Sequence, residues 1–585
     1  MKLINNGTLT IKNLGQEVTL YGWVQKKRDL GGLIFIDLRD RSGYVQLAVR
    51  PENEFYSLAE SLKSEYVIKV IGKVCERESK NLNIPTGEIE IDVLKLELIN
   101  KSSDLPFEIK DDVNTLEDTR LKYRYLDIRR NEIKDRLVMR SKISKAFREY
   151  FYDNDFIEVE TPVLCKSTPE GARDYLVPSR TYKGRFFALP QSPQLFKQLL
   201  MVGGMERYFQ IAKCYRDEDL RGDRQPEFTQ VDVEMSFVNQ DDVINVCEGA
   251  IKKVFKDVKG IDIETPIMRM KYDDAMSFYG SDKPDLRFDM KINDISEVFK
   301  DSDFQVFRGA IDNGGCVNAI VAKDCADKYS RKDIDKLTDF VKNYKAKGLA
   351  WFKLLEDGVN GSIAKALTDD NINKLKDILG LEVNDLVLMV ADKYSTVKTS
   401  LGALRLKLGK ELNLIKKGDY KLLWVTDFPL FEYSEEEDRY IACHHPFTMP
   451  REDAMENLFD HPEKCYSVAY DIVINGYESG GGSIRIHDGE MQDTMFKALG
   501  FTEDKIREKF GWFVDAFKYG TPPHGGFALG LDRWVMLLSE TDNIRDVIAF
   551  PKTASAADLM CECPSDVDMK QLDDLGIGIL EEKKD

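Results

Sequence analysis

Five short segments of the first hundred residues alternate between apolar and polar positions, which is the pattern of half-buried β-strands. A stretch with helical spacing separates the third segment from the fourth. Three strands, a helix and two more strands is the order of an OB-fold, a small closed barrel. The predicted strands are residues 18–25, 33–39, 44–49, 66–75 and 88–98, and the predicted helix is residues 55–63.

In the second and third predicted strands, the alternation defines an inward set of side chains and an outward set. The inward residues are Ile34, Ile36, Leu38, Val45, Leu47 and Val49. Phe35 and Gln46 then point outward, and an exposed ring beside an amide suits base stacking and hydrogen bonding. Lys26, Lys27 and Arg28 precede them in a predicted loop, where they would meet phosphates. The alternative is that Phe35 packs under a neighbouring loop.

Beyond residue 107 the pattern becomes a mixture of helices and strands. Residues 137–152 have helical spacing, and a short strand after them is stopped by Pro162. Alternation on both sides of a loop predicts a long hairpin near residues 206–234, and residues 525–534 predict a strand that passes through a glycine into a helix. Between residues 285 and 421 helices are predicted at 332–345 and 395–412, and strands at 348–355 and 386–392.

Composition supports a folded protein of several domains. The chain has 585 residues, of which 43% are hydrophobic and 32% charged. No apolar run is long enough to span a bilayer, and the first ten residues lack the apolar core of a secretory signal. The ten cysteines include no CxxC pair, and the closest spacing is Cys561-x-Cys563. We therefore expect a cytoplasmic protein with reduced thiols and without a zinc knuckle, a disulfide framework or a membrane segment.

Charge is distributed unevenly along the chain. The net charge of −18 argues against a protein that coats nucleic acids in general. Residues 118–140 nevertheless contain eight basic side chains against four acidic ones, and the last thirty residues contain nine acids against three lysines. Such a distribution suits a polyanion held at one end of the molecule. The alternative is that these runs are solvated helix faces.

Three ordered stretches resemble the signature motifs of class II aminoacyl-tRNA synthetases. The first is the helix and strand that end at Pro162, the second is the hairpin with Arg216, Glu218 and Phe228, and the third is Gly530-Leu-Asp-Arg533. The resemblance extends to further stretches over essentially the whole chain. These stretches, Gln194-Leu-Phe-Lys197, His444-His445-Pro-Phe and Gly480-Gly-Gly-Ser-Ile-Arg485, are similar to the bacterial-type aspartyl-tRNA synthetase family, in subgroup b of the class.

The resemblance implies an α+β multidomain fold with an OB-fold barrel, an antiparallel-sheet catalytic domain and an inserted α+β domain. The implied parts are an anticodon-binding domain at 1–106, a hinge at 107–136, a catalytic domain at 137–285 and 421–552, the insertion at 286–420 and an acidic extension at 553–585. It also implies a homodimer with the first motif at its interface. The anticodon of the tRNA would meet Arg28, Phe35 and Gln46.

The implied activity is the ATP-dependent attachment of L-aspartate to tRNA-Asp, with Mg²⁺ as cofactor. Adenylate formation builds negative charge on the α-phosphate, so fixed cations are needed, and Arg216 and Arg533 are the expected catalytic residues. Phe228 and Arg533 would sandwich the adenine. The implied ATP site comprises Arg216, Asp217, Glu218, Gln225, Phe228, Glu478, Gly530, Leu531, Asp532 and Arg533. Mg²⁺ prefers oxygen ligands, which Asp471 and Glu478 would supply.

An aspartate pocket must neutralise a side-chain carboxylate, for which Lys197 and Arg485 supply the cations. Asp232 would hold Lys197 in place. The implied aspartate site comprises Glu170, Ser192, Gln194, Lys197, Arg216, Asp232, His444 and Arg485. Such a cationic pocket should reject asparagine, because its buried positive groups would face a neutral amide.

Alternative functions remain open at this stage. One alternative is a different ligase of the same subgroup, which charges asparagine or lysine, and the other is a non-catalytic tRNA-binding or scaffold paralogue. A further question is whether tRNA-Asn is charged as well as tRNA-Asp. Residues 29–31 and the segment near Lys80 would decide this, and we expect tRNA-Asp alone.

Overall fold

The computed structural model describes residues 4–168, 171–220, 222–435 and 437–580. The chain divides into two compact units, Met1–Lys134 and Asp135–Asp585. Within the described ranges, no helix combines the length and the apolar character that crossing a membrane requires.

The first unit is built on a closed five-stranded barrel, as the alternation predicted. Its elements are β1 (Glu17–Leu30), β2 (Leu33–Asp40), β3 (Gly43–Val49), α1 (Tyr56–Ser61), β4 (Val67–Glu76) and β5 (Ile89–Asn100). Neighbouring strands are hydrogen-bonded in the order β1-β2-β3-β5-β4. The inward set of side chains is buried in the barrel core, and Phe35 lies outside that core, so the predicted register is confirmed.

Strand β1 is longer than the alternation suggested. Leu30 pairs with Leu33, and the two glycines between them have φ values of 68° and 95°. Positive φ at both central positions gives the tight turn that matches the twist of a two-stranded hairpin. The basic residues 26–28 were therefore placed wrongly in a loop, since they lie in a paired strand.

The basic segment that follows contains buried ion pairs around Asp127, which the sequence did not predict. It contains α2 (Glu117–Lys122) and α3 (Arg124–Asp127). Asp127 is fully buried and accepts hydrogen bonds from Arg124 Nη1 at 2.6 Å and Arg130 Nη1 at 2.8 Å. Arg129 Nη1 donates to buried Glu65 Oε2 at 2.7 Å. Arg124 and Arg130 are therefore not part of a solvated helix face, whereas the Arg129 side chain is 28% exposed.

The second unit begins within a long helix that starts at Asn131 rather than at residue 137. Its elements up to the insertion are α4 (Asn131–Asp153), β6 (Ile157–Glu158), β7 (Leu176–Pro178), β8 (Phe186–Ala188), α5 (Gln194–Val202), β9 (Arg207–Tyr215), β10 (Glu227–Ser236), α6 (Gln240–Lys259), β11 (Arg269–Lys271) and α7 (Tyr272–Tyr279). Strands β9 and β10 are the predicted hairpin.

The segment between α7 and the next part of the large sheet forms a five-stranded sheet with helices. Its elements are β12 (Asn293–Asp294), α8 (Ser296–Phe299), α9 (Gln305–Asp312), β13 (Cys316–Ala322), α10 (Arg331–Lys342), β14 (Ala350–Leu355), β15 (Gly358–Gly361), α11 (Asp369–Leu379), β16 (Leu386–Asp392) and α12 (Tyr394–Glu411). The strand order is β12-β13-β16-β14-β15. Two hydrophobic clusters of its own cover the two faces of this sheet, which explains why β16 is apolar from Leu386 to Ala391.

The chain then returns to the large sheet. The remaining elements are β17 (Leu422–Thr426), β18 (Phe431–Ser434), β19 (Arg439–Ala442), β20 (Ala469–Ile474), β21 (Tyr477–Ile484), α13 (Gly489–Ala498), α14 (Glu503–Val514), β22 (His524–Gly530), α15 (Leu531–Leu538) and α16 (Met569–Leu575). The large sheet has eight strands in the order β11-β17-β20-β21-β22-β10-β9-β6. Strand β22 passes through Gly530 into α15, as predicted.

The two faces of this sheet differ in chemistry because side chains alternate along each strand. On β10, Val231 and Val233 pack into the core with residues of α4, α6 and α15. Asp232 and Phe228 point to the opposite face. The same alternation turns Asp471 of β20 away from its core neighbours. The sheet therefore has one apolar face that holds the helices and one polar face that is open to ligands.

Candidate active site

A cavity of about 590 Å³ lies on the polar face of the eight-stranded sheet. Strands β10, β20, β21 and β22 form its floor, and α5, the hairpin loop and residues 443–447 contribute to its walls. The glycines of β21 keep the floor open. At Gly481 a Cβ atom would lie 2.0 Å from Asp471 Oδ1, so a larger residue would displace that carboxylate.

Lys197 and Asp232 form a buried ion pair at one end of the cavity. Lys197 Nζ donates to Asp232 Oδ1 at 2.7 Å, and the two side chains are 2% and 1% exposed. Burial raises the pKa of Asp232, while the Lys197 ammonium opposes that shift. This geometry agrees with the expectation that Asp232 holds Lys197 in place.

Arg485 is held by a second carboxylate, that of Glu234. Arg485 Nε donates to Glu234 Oε1 at 3.0 Å, and Arg485 Nη2 donates to Oε2 at 3.2 Å. Lys197 Nζ lies 3.4 Å from the same Oε2. Burial alone would raise the pKa of Glu234, but the charges of Arg485 and Lys197 outweigh it and lower the pKa. Lys197 and Arg485 are therefore each balanced by a buried carboxylate, Asp232 and Glu234 respectively.

The pKa values of the two adjacent histidines shift in opposite directions. Burial lowers the pKa of His444, but the neighbouring Asp471 and Cys443 outweigh it and raise the pKa to about 10, with His444 Nε2 3.9 Å from Asp471 Oδ1. Burial, and then the charge of Arg485, hold the pKa of His445 well below its usual range. His445 Nε2 lies 2.9 Å from Arg485 Nη1. Protonation is thus favoured at His444 and disfavoured at His445, which packs beside the guanidinium of Arg485.

The other end of the cavity carries an arginine stacked on an aromatic ring. Arg216 follows β9 directly, and its guanidinium carbon lies 5.0 Å from the centre of the Phe228 ring. Glu218 pairs with Arg224 at 3.2 Å in the same hairpin. A flat ring and a planar cation side by side suit a purine base and a phosphate.

Arg533 faces this end from the start of α15. Its Nη2 donates to Asp223 Oδ2 at 3.1 Å, and its Nη1 donates to the carbonyl oxygen of Glu478. Within the described residues, Arg533 Nε and the buried Gln194 Nε2 at the opposite end have no hydrogen-bond acceptor. A buried donor without a partner costs about 1–3 kcal/mol, so both atoms indicate groups that a ligand would satisfy.

The Asp532 carboxylate, next to Arg533 in the sequence, is used to connect neighbouring elements. Its Oδ2 accepts a hydrogen bond from the Thr229 backbone N–H at 2.7 Å, and its Oδ1 accepts one from Arg140 of α4. Arg140 Nη2 also donates to Thr229 Oγ1 at 3.0 Å. The carboxylate thus ties α4, β10 and α15 together and fixes the turn that presents Arg533.

Two carboxylates approach each other near Arg533. Asp471 on β20 and Glu478 on β21 both line the cavity. Burial, and then repulsion from Asp471, raise the pKa of Glu478. A divalent cation would relieve this repulsion, so the donor set fits a hard metal ion such as Mg²⁺.

The cavity brings together most of the residues that were selected from the sequence. Those lining it are Ser192, Gln194, Lys197, Arg216, Glu218, Gln225, Phe228, Asp232, His444, Asp471, Glu478, Arg485, Gly530, Asp532 and Arg533. Asp217 and Leu531 are not among its lining residues, and the Leu531 side chain packs in the core. Glu170 lies outside the described residues.

The first unit has a cavity of its own on the barrel surface, with a volume of about 1260 Å³. Phe35 and Arg28 line it, as does Gln46, which is only 9% exposed. The Gln46 amide donates to Glu90 Oε2 at 2.8 Å and accepts from Arg28 Nη2 at 3.2 Å. Gln46 thus lies outside the barrel core, in the outward position that the alternation predicts, but neighbouring side chains cover most of it.

Comparison with known families matches this geometry to a class of enzymes. Residues 116–554 match the family described as tRNA synthetases class II (D, K and N), which is more than half of the chain. The chain belongs to the class II tRNA synthetases of this group. Residues 18–99 of the synthetase match the family described as OB-fold nucleic acid binding domain, which agrees with the barrel.

Two relatives that match this class II synthetase over nearly the whole chain are both named aspartate–tRNA ligase. The chain is 58% identical over 577 residues to the aspartate–tRNA ligase of Macrococcus caseolyticus, covering 98% of both chains. It is 56% identical over 578 residues to the aspartate–tRNA ligase of Staphylococcus carnosus, again covering 98% of both.

Solved structures show the same fold at low sequence identity. Asparaginyl-tRNA synthetase from Pyrococcus horikoshii complexed with asparaginyl-adenylate matches with a TM-score of 0.59 at 20% identity, covering 94% of this chain and 98% of that one. Aspartyl tRNA synthetase from Entamoeba histolytica matches with a TM-score of 0.56 at 20% identity, covering 93% and 89%.

Several residues of the synthetase site were not selected from the sequence. Glu234 lies two positions after Asp232 on β10, so the period-2 alternation already placed both on one face. Asp223 and Arg140, which contact Arg533 and Asp532, come from a loop and from a helix that are distant in sequence. No local spacing signals such contacts, which only the fold creates.

Proposed function

We propose that this chain is an aspartate–tRNA ligase. It activates L-aspartate with ATP to form aspartyl-adenylate and pyrophosphate, and then transfers the aspartyl group to the terminal adenosine of tRNA-Asp. The observation that carries the proposal is the pair of buried cations, Lys197 and Arg485, in the cavity that also holds the stacked Arg216 and Phe228. The names of the full-length relatives support it.

Two buried cations in one cavity favour a substrate with a side-chain carboxylate. Asp232 and Glu234 hold Lys197 and Arg485 in place, and the side-chain carboxylate of aspartate would accept hydrogen bonds from both cations. Asparagine would bring an amide whose N–H groups face donors, which leaves buried polar groups unpaired.

Adenylate formation is a displacement at the α-phosphorus of ATP. The α-carboxylate of aspartate forms the new oxygen–phosphorus bond, and the bond to pyrophosphate breaks. Arg216 is expected to donate to the α-phosphate, where negative charge increases in the transition state. Phe228 would stack on the adenine, and Arg533 would meet the terminal phosphate in place of its present partner Asp223.

Asp471 and Glu478 are the residues that would hold Mg²⁺. The ion would neutralise charge on the phosphates of bound ATP. The two carboxylates fit this role because both line the cavity, where burial and then repulsion from Asp471 raise the pKa of Glu478.

The second step brings the terminal adenosine of the tRNA to the cavity of the second unit. The hydroxyl of the terminal adenosine attacks the carbonyl carbon of the adenylate, and AMP leaves. The barrel surface with Phe35, Arg28 and Gln46 would read the anticodon. Arg77 lines the same surface and was not selected from the sequence; it is 8% exposed, and among the described residues its Nε has no partner, which suits contact with an anion.

We also propose a homodimer that works in the cytoplasm, with residues 286–420 as an inserted domain. Apolar side chains near the first motif support the dimer: Ile157, Val163 and Leu164 are 48%, 44% and 53% exposed. An interface would cover them. Light scattering of the wild type and of Leu164→Asp tests this, since the proposal requires a dimer that this variant weakens.

Amino-acid-dependent exchange of pyrophosphate into ATP tests the activity. Aspartate should support exchange, whereas asparagine and lysine should not. Charging of purified tRNA-Asp and tRNA-Asn then shows whether one or both are substrates, and we expect tRNA-Asp alone. Exchange with asparagine or lysine, or no exchange at all, would contradict the proposal.

A further inference from the structure

A compact loop after the last strand of the large sheet collects two thiols and a carboxylate. Asp558, Cys561 and Cys563 present ligand atoms that all lie within 4.8 Å of one another. Cys561 Sγ and Cys563 Sγ are 3.5 Å apart, and both are thiols rather than disulfide sulfurs. The sequence predicted no zinc site here because the spacing is C-x-C, and the carboxylate becomes visible only in the folded loop.

The loop is closed by its own backbone. Asp558 N donates to Cys563 O at 2.7 Å, and Cys563 N donates back to Asp558 O at 3.1 Å. Asp558 Oδ1 accepts from the backbone N–H of Met560 at 3.0 Å and of Cys561 at 3.2 Å. The three side chains are therefore held on one side of a short turn, so little chain entropy is lost when a ligand joins them.

Asp558 is also fixed from the other side. It is only 7% exposed, and its Oδ2 lies 3.4 Å from Lys552 Nζ, which lies 3.2 Å from Glu227 Oε1. The backbone of Lys552 exchanges two hydrogen bonds with the Gln225 side chain, at 2.8 and 3.0 Å. The carboxylate is thus anchored to the β9–β10 hairpin, while Cys561 is exposed to solvent.

We propose that Asp558, Cys561 and Cys563 form a binding site for a thiophilic divalent cation, with Zn²⁺ as the best fit. Two thiolates and one carboxylate are a set that Zn²⁺ accepts, whereas Mg²⁺ and Ca²⁺ prefer oxygen alone. Zinc–sulfur bonds of about 2.3 Å in a tetrahedron place the sulfurs about 3.8 Å apart, close to the observed 3.5 Å. The fourth position is left to water on the exposed side.

Titration with Co²⁺, a coloured substitute for Zn²⁺, tests this site. The full-length protein is reduced with a phosphine and kept in excess Mg²⁺, so that Asp471 and Glu478 are saturated. We expect one Co²⁺ per chain, with near-ultraviolet absorption from cobalt-bound thiolates that one equivalent of Zn²⁺ abolishes. If the wild type shows no such absorption, the proposal is overturned.

Variants locate the metal. Cys561→Ser/Cys563→Ser should lose the absorption and bind Zn²⁺ at least about 100-fold more weakly, since even supporting groups cost about 10–100-fold. Its circular dichroism and thermal unfolding should match the wild type. Asp558→Asn keeps the acceptor for the loop N–H groups, so it should retain the absorption but bind Zn²⁺ more weakly. Unchanged affinity would remove the carboxylate from the site.

Cys443→Ser is the matched control, because Cys443 is a thiol that lines the catalytic cavity beside His444. It should bind Co²⁺ with the same absorption as the wild type. Absorption that disappears in Cys443→Ser, or that persists in Cys561→Ser/Cys563→Ser, would place the metal elsewhere and overturn the proposal.

Discussion

Replacing Arg485 by glutamine removes one of the two buried cations of the proposed aspartate pocket. Arg485 donates two hydrogen bonds to Glu234, at 3.0 and 3.2 Å, so the variant leaves a buried carboxylate without its main partner. Breaking a buried pair costs about 3–5 kcal/mol of stability. Lys197 Nζ remains 3.4 Å from Glu234, so we expect a loss near the lower end of this range.

The effect of Arg485→Gln on aspartate binding is a separate quantity. Truncating one partner of a buried, hydrogen-bonded charge pair costs about 2–5 kcal/mol of affinity. At 1.4 kcal/mol per tenfold change, the KM for aspartate should rise by about 30-fold to several thousandfold. The KM for ATP should change little, because Arg216, Phe228 and Arg533 are untouched. Aspartate-dependent pyrophosphate exchange measures both constants.

A double variant, Arg485→Gln with Glu234→Gln, separates folding from binding. It removes the ion pair as a neutral unit, which is often close to neutral for stability, so urea unfolding should return towards the wild type. Aspartate affinity should remain low, because the cation is still missing. An unchanged KM for aspartate in Arg485→Gln, or recovery of that KM in the double variant, would refute the assignment of Arg485 to the substrate carboxylate.

Three further predictions concern other parts of the molecule. Arg216→Ala should lower the rate of adenylate formation by about 10²–10³, the scale of one preorganised donor; a near-normal single-turnover rate would contradict its role. Phe35→Ala should lose about 1–3 kcal/mol of base stacking, so aspartylation at limiting tRNA should fall while tRNA-independent exchange is unchanged; loss of both would instead indicate damage to the barrel. Because the pKa of His445 is lowered in the folded state, His445 stays unprotonated there at a pH below about 6.5, at which the unfolded chain binds a proton. Stability should therefore fall as the pH falls from 7.5 to 5.5, and His445→Gln should reduce that loss by about 1 kcal/mol in urea unfolding; equal pH dependence of the two proteins would contradict it.

The fold was predictable where alternation along a strand reflects burial on one face. The barrel order and the inward positions of β2 and β3 followed from period 2 alone. The extent of β1 did not, because its end is set by a two-glycine turn and by pairing with β2. Likewise, the charge pattern around Asp127 did not reveal that Arg124 and Arg130 are buried in ion pairs with it.

The candidate site was predictable to the extent that its residues lie in short recognisable motifs. Lys197, Arg216 and Arg533 were selected in this way, and all three line one cavity. Glu234 was missed because a lone acid on a strand is usually a surface residue, and only burial against Lys197 and Arg485 reveals its position. Gln46 shows the converse, since an outward position did not mean an exposed one.

The buried carboxylates of Asp232 and Glu234 explain how the proposed aspartate pocket can be stable without its substrate. Two unpaired cations in this cavity would each cost several kcal/mol of desolvation. Asp232 and Glu234 offset that cost from behind, and they fix both cations in place. In the proposed aspartate pocket, selectivity would therefore depend also on acidic residues that need not touch the substrate. Charge reversal of the pocket would therefore require changing β10 together with Lys197 and Arg485.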